Sequence, residues 1–104
     1  MRSFVRLART DADRRRGTAE YCFLDTDSHE AGKALADAAP SVEFRSNEFR
    51  MPGAPYRAVF ARVPAAQGRR LEARLAELDR ALSAKHGAGY QAARERFAHL
   101  IETA

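Results

Sequence analysis

The stretch Ser41-Val42-Glu43-Phe44-Arg45-Ser46-Asn47-Glu48-Phe49-Arg50-Met51-Pro52-Gly53-Ala54-Pro55 runs into Tyr56-Arg57-Ala58-Val59-Phe60-Ala61-Arg62-Val63, and its folding decides the architecture. Glu43-Phe44-Arg45 recurs as Glu48-Phe49-Arg50 with Ser46-Asn47 between. A two-residue turn at Ser46-Asn47 would set Phe44 opposite Phe49, with Arg45–Glu48 and Glu43–Arg50 as favourable cross-strand pairs. Tight hairpin turns of types I′ and II′ ask for Gly, and Ser-Asn has none. One long strand over 41–50 with a β-bulge near Ser46-Asn47 is the preferred reading, because a bulge also returns the two Phe residues to one face. Pro52-Gly53-Ala54-Pro55 then turns the chain. Tyr56 to Val63 follows as a strand with largely apolar residues on both faces, the pattern of a central strand covered on both sides.

Working back toward the N-terminus, Arg2 to Arg9 reads as a strand and Thr10 to Thr18 as a polar loop carrying Arg14-Arg15-Arg16-Gly17. Ala19 to Asp25 is a second strand, again apolar on both faces, and the two strands should form a hairpin. Asp25-Thr26-Asp27-Ser28 ends that strand and opens a helix over about 28–39. Asp27 or Ser28 is the expected N-cap, with Glu30 in capping-box position after Asp27. Pro40 stops this helix, and Gly32 weakens it.

Working forward, Pro64 opens a long helix to about His86. Leu71, Leu75, Leu78 and Leu82 alternate four and three apart as a heptad seam. Lys85 and His86 complement the helix C-terminus, and Gly87 is the expected left-handed cap. A last helix over about 88–103 carries Tyr90, Ala93, Phe97, Leu100 and Ile101 on its apolar face. The order is ββαββαα. The fold expected is α+β: a four-stranded antiparallel sheet, a circular permutation of the ferredoxin-like pattern, ending in a helical hairpin. Residues 1–104 form one domain, with the sheet and one helix in 1–63 and two helices in 64–104. The doubly apolar strands need a cover on the second sheet face, from the helical hairpin or from a second copy. A homodimer is therefore one expected arrangement.

Composition narrows the function class. With 45% hydrophobic and 31% charged residues the chain should fold rather than stay disordered. It contains no apolar run of membrane-spanning length. The start, Met1-Arg2-Ser3-Phe4-Val5-Arg6-Leu7, is too short and too charged for a secretory core, so a cytoplasmic protein is expected. The single cysteine, Cys22, forms no disulfide within the chain and reads as core packing. The net charge of +4 comes from 18 Lys+Arg against 14 Asp+Glu. Nearly all of these cations are Arg and the chain is rich in Ala, as GC-rich coding produces, which weakens an inference from charge to nucleic acid.

Four stretches are candidate sites. Asp25 and Asp27, two apart at a strand end, are oxygen ligands suited to Mg²⁺. A strand end followed by an N-cap accounts for them more simply. The tetrapeptide resembles the metal-binding Asp-Thr-Asp-Ser of family B DNA polymerases and the strand-end Asp-x-Asp of haloacid-dehalogenase-type phosphatases; the resemblance covers four residues, and no role follows from it. Arg14, Arg15 and Arg16 could track phosphates or an acidic protein surface, or be a solvated turn balanced by Asp11 and Asp13. Arg6, Tyr56, Phe60 and Arg62 would make a basic, aromatic sheet face on which bases stack as on an RRM sheet, if the faces of their strands coincide. Gly87-Ala88-Gly89 before a helix could cradle a phosphate, although a helix cap explains those glycines. His29, His86 and His99 have no zinc spacing, and no Ser/His/Asp or Cys/His arrangement is present.

No cofactor is implied by these residues. The function expected is a small non-enzymatic interaction module, a regulatory or inhibitory protein of the accessory kind carried by phages and plasmids, with another protein as partner. The first alternative is a nucleic-acid-binding protein using Arg14 to Arg16 and the Arg/aromatic face. The second is a small Mg²⁺-dependent enzyme or ligand-binding dimer with Asp25 and Asp27 in its site.

Overall fold

The computed structural model describes residues 3–38, 42–50 and 55–103, with side chains for all of these except 38, 45–50 and 100–103. The elements are β1 (Phe4–Arg6), α1 (Asp11–Arg16), β2 (Thr18–Thr26), α2 (Glu30–Ala38), β3 (Glu43–Arg50), β4 (Tyr56–Pro64), α3 (Gly68–His86) and α4 (Ala88–Thr103). A single 3-10 turn, Ala65–Gln67, joins β4 to α3. The sheet order is β1-β2-β4-β3 with every pair antiparallel. This is the permuted ferredoxin-like order, and α3 and α4 form the helical hairpin expected.

The β2–β4 ladder is the long one, running from Thr18↔Pro64 to Thr26↔Tyr56. Val, Phe, Tyr and Cys at alternating positions suit a pleated, fully buried strand. Tyr21, Phe23, Leu24, Val59, Ala61 and Val63 are all buried. β3 is one continuous strand against β4, not a hairpin on itself. Its register runs regularly from Glu43↔Arg62 to Ser46↔Val59, then resumes at Arg50↔Arg57. Four steps along β3 therefore match two along β4, which is a bulge of two residues. The preference for a bulged strand over a Ser46-Asn47 turn holds. The Pro52-Gly53 turn, Pro40, and the side chains of Phe49, Leu100 and Ile101 lie outside the described residues.

Strand alternation combined with the register divides the sheet into two faces. Phe4, Arg6, Tyr21, Phe23, Asp25, Phe44, Val59, Ala61 and Val63 share one face. This face bears α2 and α3, since Tyr21 donates to Glu72 of α3 and Asp25 receives bonds from α2. Val5, Glu20, Cys22, Leu24, Ala58, Phe60 and Arg62 share the other. On that face Cys22, Leu24 and Ala58 are already buried within a single chain. The leucine seam is likewise used internally: Leu71, Leu75 and Leu82 are buried in the core and Leu78 packs against it. Neither feature needs a second copy to be covered.

The long helix does not open at Pro64, which ends β4, but at Gly68 after the 3-10 turn; three further local expectations change. The stretch 10–18 is not an irregular loop but contains α1. Thr10 caps it in a full capping box, accepting from Asp13 N while its own N–H donates to Asp13 Oδ2, both 3.1 Å. Acidic residues in its first turn and three arginines in its last complement the helix dipole. The strand before it is shorter than 2–9, covering Phe4–Arg6.

The second change is how the start of α2 is capped. Its N–H groups are taken by the side chains of Asp25 and Thr26, at the end of β2, and not by Asp27 or Ser28. Asp25 Oδ1 accepts from Thr26 N at 2.7 Å and Ala31 N at 2.8 Å, and Oδ2 accepts from Gly32 N at 2.8 Å. Thr26 Oγ1 takes Glu30 N at 3.2 Å. The strand end itself thus satisfies the orphan donors of the helix start. Gly32 belongs there, because a Cβ would stand only 3.1 Å from Asp25 Oδ2.

The third change is at the end of α3. Gly87 has φ 63° but ψ −133°, a positive-φ extended conformation rather than the left-handed helical one, and one that favours glycine all the same.

A carboxylate that is fully buried and bonded to three backbone N–H groups cannot be removed cheaply. Asp25→Ala should lower the unfolding free energy by about 3 kcal/mol, the scale of a charge-assisted bond plus orphaned donors. Asp27→Ala, which breaks a part-exposed ion pair with Arg57, should cost less, about 1 kcal/mol. Urea denaturation of the two variants measures the difference. Equal losses would contradict this division of roles.

Candidate functional site

The residues singled out in the sequence come together only in part. Asp25 and Asp27 diverge: Asp25 is sealed under the start of α2, while Asp27 Oδ1 takes Arg57 Nε at 3.3 Å and its second guanidinium nitrogen at 3.1 Å. Among the described residues, no three His, Cys, Asp or Glu side chains cluster closely enough to hold a metal ion.

The proposed basic, aromatic face is divided by the register. Arg6 lies directly opposite Tyr21, on the face bearing α2 and α3. Arg62 and Phe60 lie opposite Glu20 and Cys22, on the other. Arg62 is also committed. It donates to Glu20 Oε2 at 2.8 Å and stands 3.4 Å from Asp13 Oδ1, tying α1 to the sheet. The Asp13 carboxyl is held below its usual range, first by the Thr10 backbone N–H and next by the Thr18 hydroxyl, with Arg62 adding to both. Arg14, Arg15 and Arg16 stand exposed on α1, Arg14 paired to Asp11 at 2.9 Å.

Tyr56 sits at the start of β4 against the helical hairpin. Its ring is edge-on to His86 at 6.3 Å and to Tyr90 at 5.9 Å. Lys85 and His86, at the end of α3, both bind Glu30 at the start of α2. His86 Nε2 is 2.7 Å from Glu30 Oε2, and Lys85 Nζ donates to Oε1. Across the hairpin Tyr90 Oη donates to Asp79 Oδ1 and Arg94 to Oδ2, both at 2.9 Å. Burial pushes the Tyr90 hydroxyl well above its usual range, and Asp79 adds to the shift. These groups pin helix to helix and helix to sheet. They tie the residues on either side of the turn at 87–89 into the fold.

An opening lies elsewhere, along β3. Phe44 is 38% exposed on this edge strand, on the face bearing α2 and α3, and among the described residues it is the exposed large apolar side chain. Two residues before it, Val42 helps to line a cavity of about 110 Å³ that enters the layer between α2, β4 and α3. Leu35, Val42, Val63 and Leu71 wall it, and Gln67, Arg70 and Arg74 complete its lining. Arg74 pairs with Glu77 at 2.9 Å through one guanidinium nitrogen, while its Nε is shielded from solvent and has no acceptor.

Sequence reasoning passed over these residues. The sequence singles out neither Arg70 nor Arg74, and it places Val42 and Phe44 only as part of the strand over 41–50. The available signal was the spacing of Arg70 and Arg74, one turn apart and flanking Leu71, which places both cations beside the buried seam.

No family model, curated protein or solved structure matches this chain.

The Glu30 clamp makes stability depend on acid. Lys85 first and His86 next hold the Glu30 carboxyl at about 2, below its ordinary 4.5. A carboxyl lowered on folding contributes stability that is complete above 4.5 and is lost as pH falls toward 2. Glu30→Gln should therefore melt lower than wild type near neutral pH, with the gap closing across that acid window. Thermal melts at a series of pH values test this, and a gap that stays constant would contradict it.

Proposed function

We propose that this protein is a non-enzymatic protein-binding module and that the β3 margin is its docking surface. Phe44 carries the reading: a large apolar side chain exposed on an edge strand, two residues from Val42, which walls an apolar cavity. An edge strand offers unpaired backbone donors and acceptors to an extended segment of another protein. Phe44 supplies an aromatic contact of the kind enriched at binding hot spots, and the cavity that Val42 walls can receive an apolar anchor from that segment. The bulge beyond Ser46 interrupts the regular pairing, so the segment adds along Glu43 to Ser46 and not along the whole strand. Among the described residues, no helix is long and apolar enough to cross a membrane.

Phe44→Lys should weaken partner binding about tenfold or more, while leaving stability within about 0.5 kcal/mol of wild type, because the side chain is already half in solvent. Affinity capture from host lysate, repeated with Phe44→Lys and with Arg15→Gln, tests the surface. Proteins retained by wild type and Arg15→Gln but lost with Phe44→Lys bear it out. An identical set retained by Phe44→Lys contradicts it.

A nucleic-acid reading keeps one specific support, the three consecutive exposed arginines of α1. It predicts retardation of DNA or RNA that weakens steeply as salt rises and is reduced in Arg15→Gln. An electrophoretic titration at low salt with no retardation would remove it.

A further inference from the structure

We propose that the cavity between α2, β4 and α3 is a binding site for a small monocarboxylate with a short apolar tail. Its walls set the tail. Leu35, Val42, Val63 and Leu71 offer no hydrogen bond to a polar group, so only apolar atoms gain by entering. Its volume sets the length. An apolar cavity of roughly 150 Å³ accommodates a benzene-sized molecule, so about 110 Å³ suits a tail of roughly four to six carbons.

The two arginines set the head group. Arg70 and Arg74 stand one helical turn apart on α3, and both line the cavity. Guanidinium groups take carboxylates through paired, charge-assisted bonds. A carboxylate at the cavity mouth meets both guanidinium groups, one of which also holds Glu77. An amine of the same shape would meet two cations. An alcohol would lose the ionic bonds, and acetate would leave the walls empty. The site needs no protein partner, although a segment docked at the β3 edge would place its apolar anchor in the same cavity and compete for it.

Titration of ¹⁵N-labelled protein with hexanoate, followed by amide resonances, is the test. Saturable shifts should centre on Leu35, Val42, Val63 and Leu71. Hexanoate should bind at least about tenfold more tightly than hexanol, hexylamine or acetate. Arg74→Gln should lose about tenfold in hexanoate affinity with an otherwise unchanged spectrum, and Val42→Phe, which fills the entrance, should abolish binding. Phe44→Lys should bind hexanoate as wild type does, so failure of the docking surface and failure of this site are separable. The proposal is overturned if hexylamine or acetate binds as tightly as hexanoate. It is also overturned if the shifts fall away from the cavity, or if Arg74→Gln binds unchanged.

Discussion

The ladder between β2 and β4 is the constraint on which every other element depends. The two strands pair from Thr18↔Pro64 to Thr26↔Tyr56, and both carry apolar side chains to both faces. Such a pair is stable only when it is covered, because each buried large side chain contributes about 1.5–3 kcal/mol and exposure forfeits it. The ends of the ladder recruit the cover. At one end Asp13 joins Thr18 and Arg62 and holds α1. At the other, Asp25 turns the last residues of β2 into the cap of α2, and Tyr56 turns the first residue of β4 into a seat for the α3–α4 turn. The helical hairpin is closed in turn by Asp79, which receives both Tyr90 and Arg94.

Local chemistry made the main elements legible. Runs with alternating Tyr, Phe, Val and Ala identified β2 and β4, the leucine spacing identified α3, and the Gly87 turn separated it from α4. Elements written in other terms were harder to read. α1 has no apolar stripe, and its signal is a capping box over six residues, easily taken for a polar loop. The cap of α2 turned on which of several nearby oxygens reaches the helix. Asp25, Asp27 and Ser28 are all chemically suitable, and only the path of the chain past His29, with its φ of 59°, decides for Asp25. Register is a long-range property, so no local pattern could place Arg6 and Arg62 on opposite faces. The cavity draws its walls from α2, the start of β3, β4 and α3, which meet only after folding.

The same constraint explains where the molecule is left open. The ionic groups around the ladder are paired internally: Arg62 with Glu20, Arg57 with Asp27, and Glu30 with Lys85 and His86. β3 lies outside this arrangement. Among the described residues it pairs on one side only; it bulges after Ser46, and Phe44 stands partly in solvent. An apolar ring on an edge strand invites association, and the neighbouring cavity gives that margin a shape and, through Arg70 and Arg74, a charge.

The central claim is that the β3 margin is uncovered while the β2–β4 ladder is sealed. Amide hydrogen exchange resolved by residue tests it most directly. The account predicts uniformly slow exchange along Tyr21 to Leu24 and Ala58 to Ala61. Over Glu43 to Ser46 it predicts an alternation, with amides bonded to β4 slow and outward amides fast. Uniformly slow exchange over Glu43 to Ser46 would mean that the edge is already paired or covered, and would contradict it.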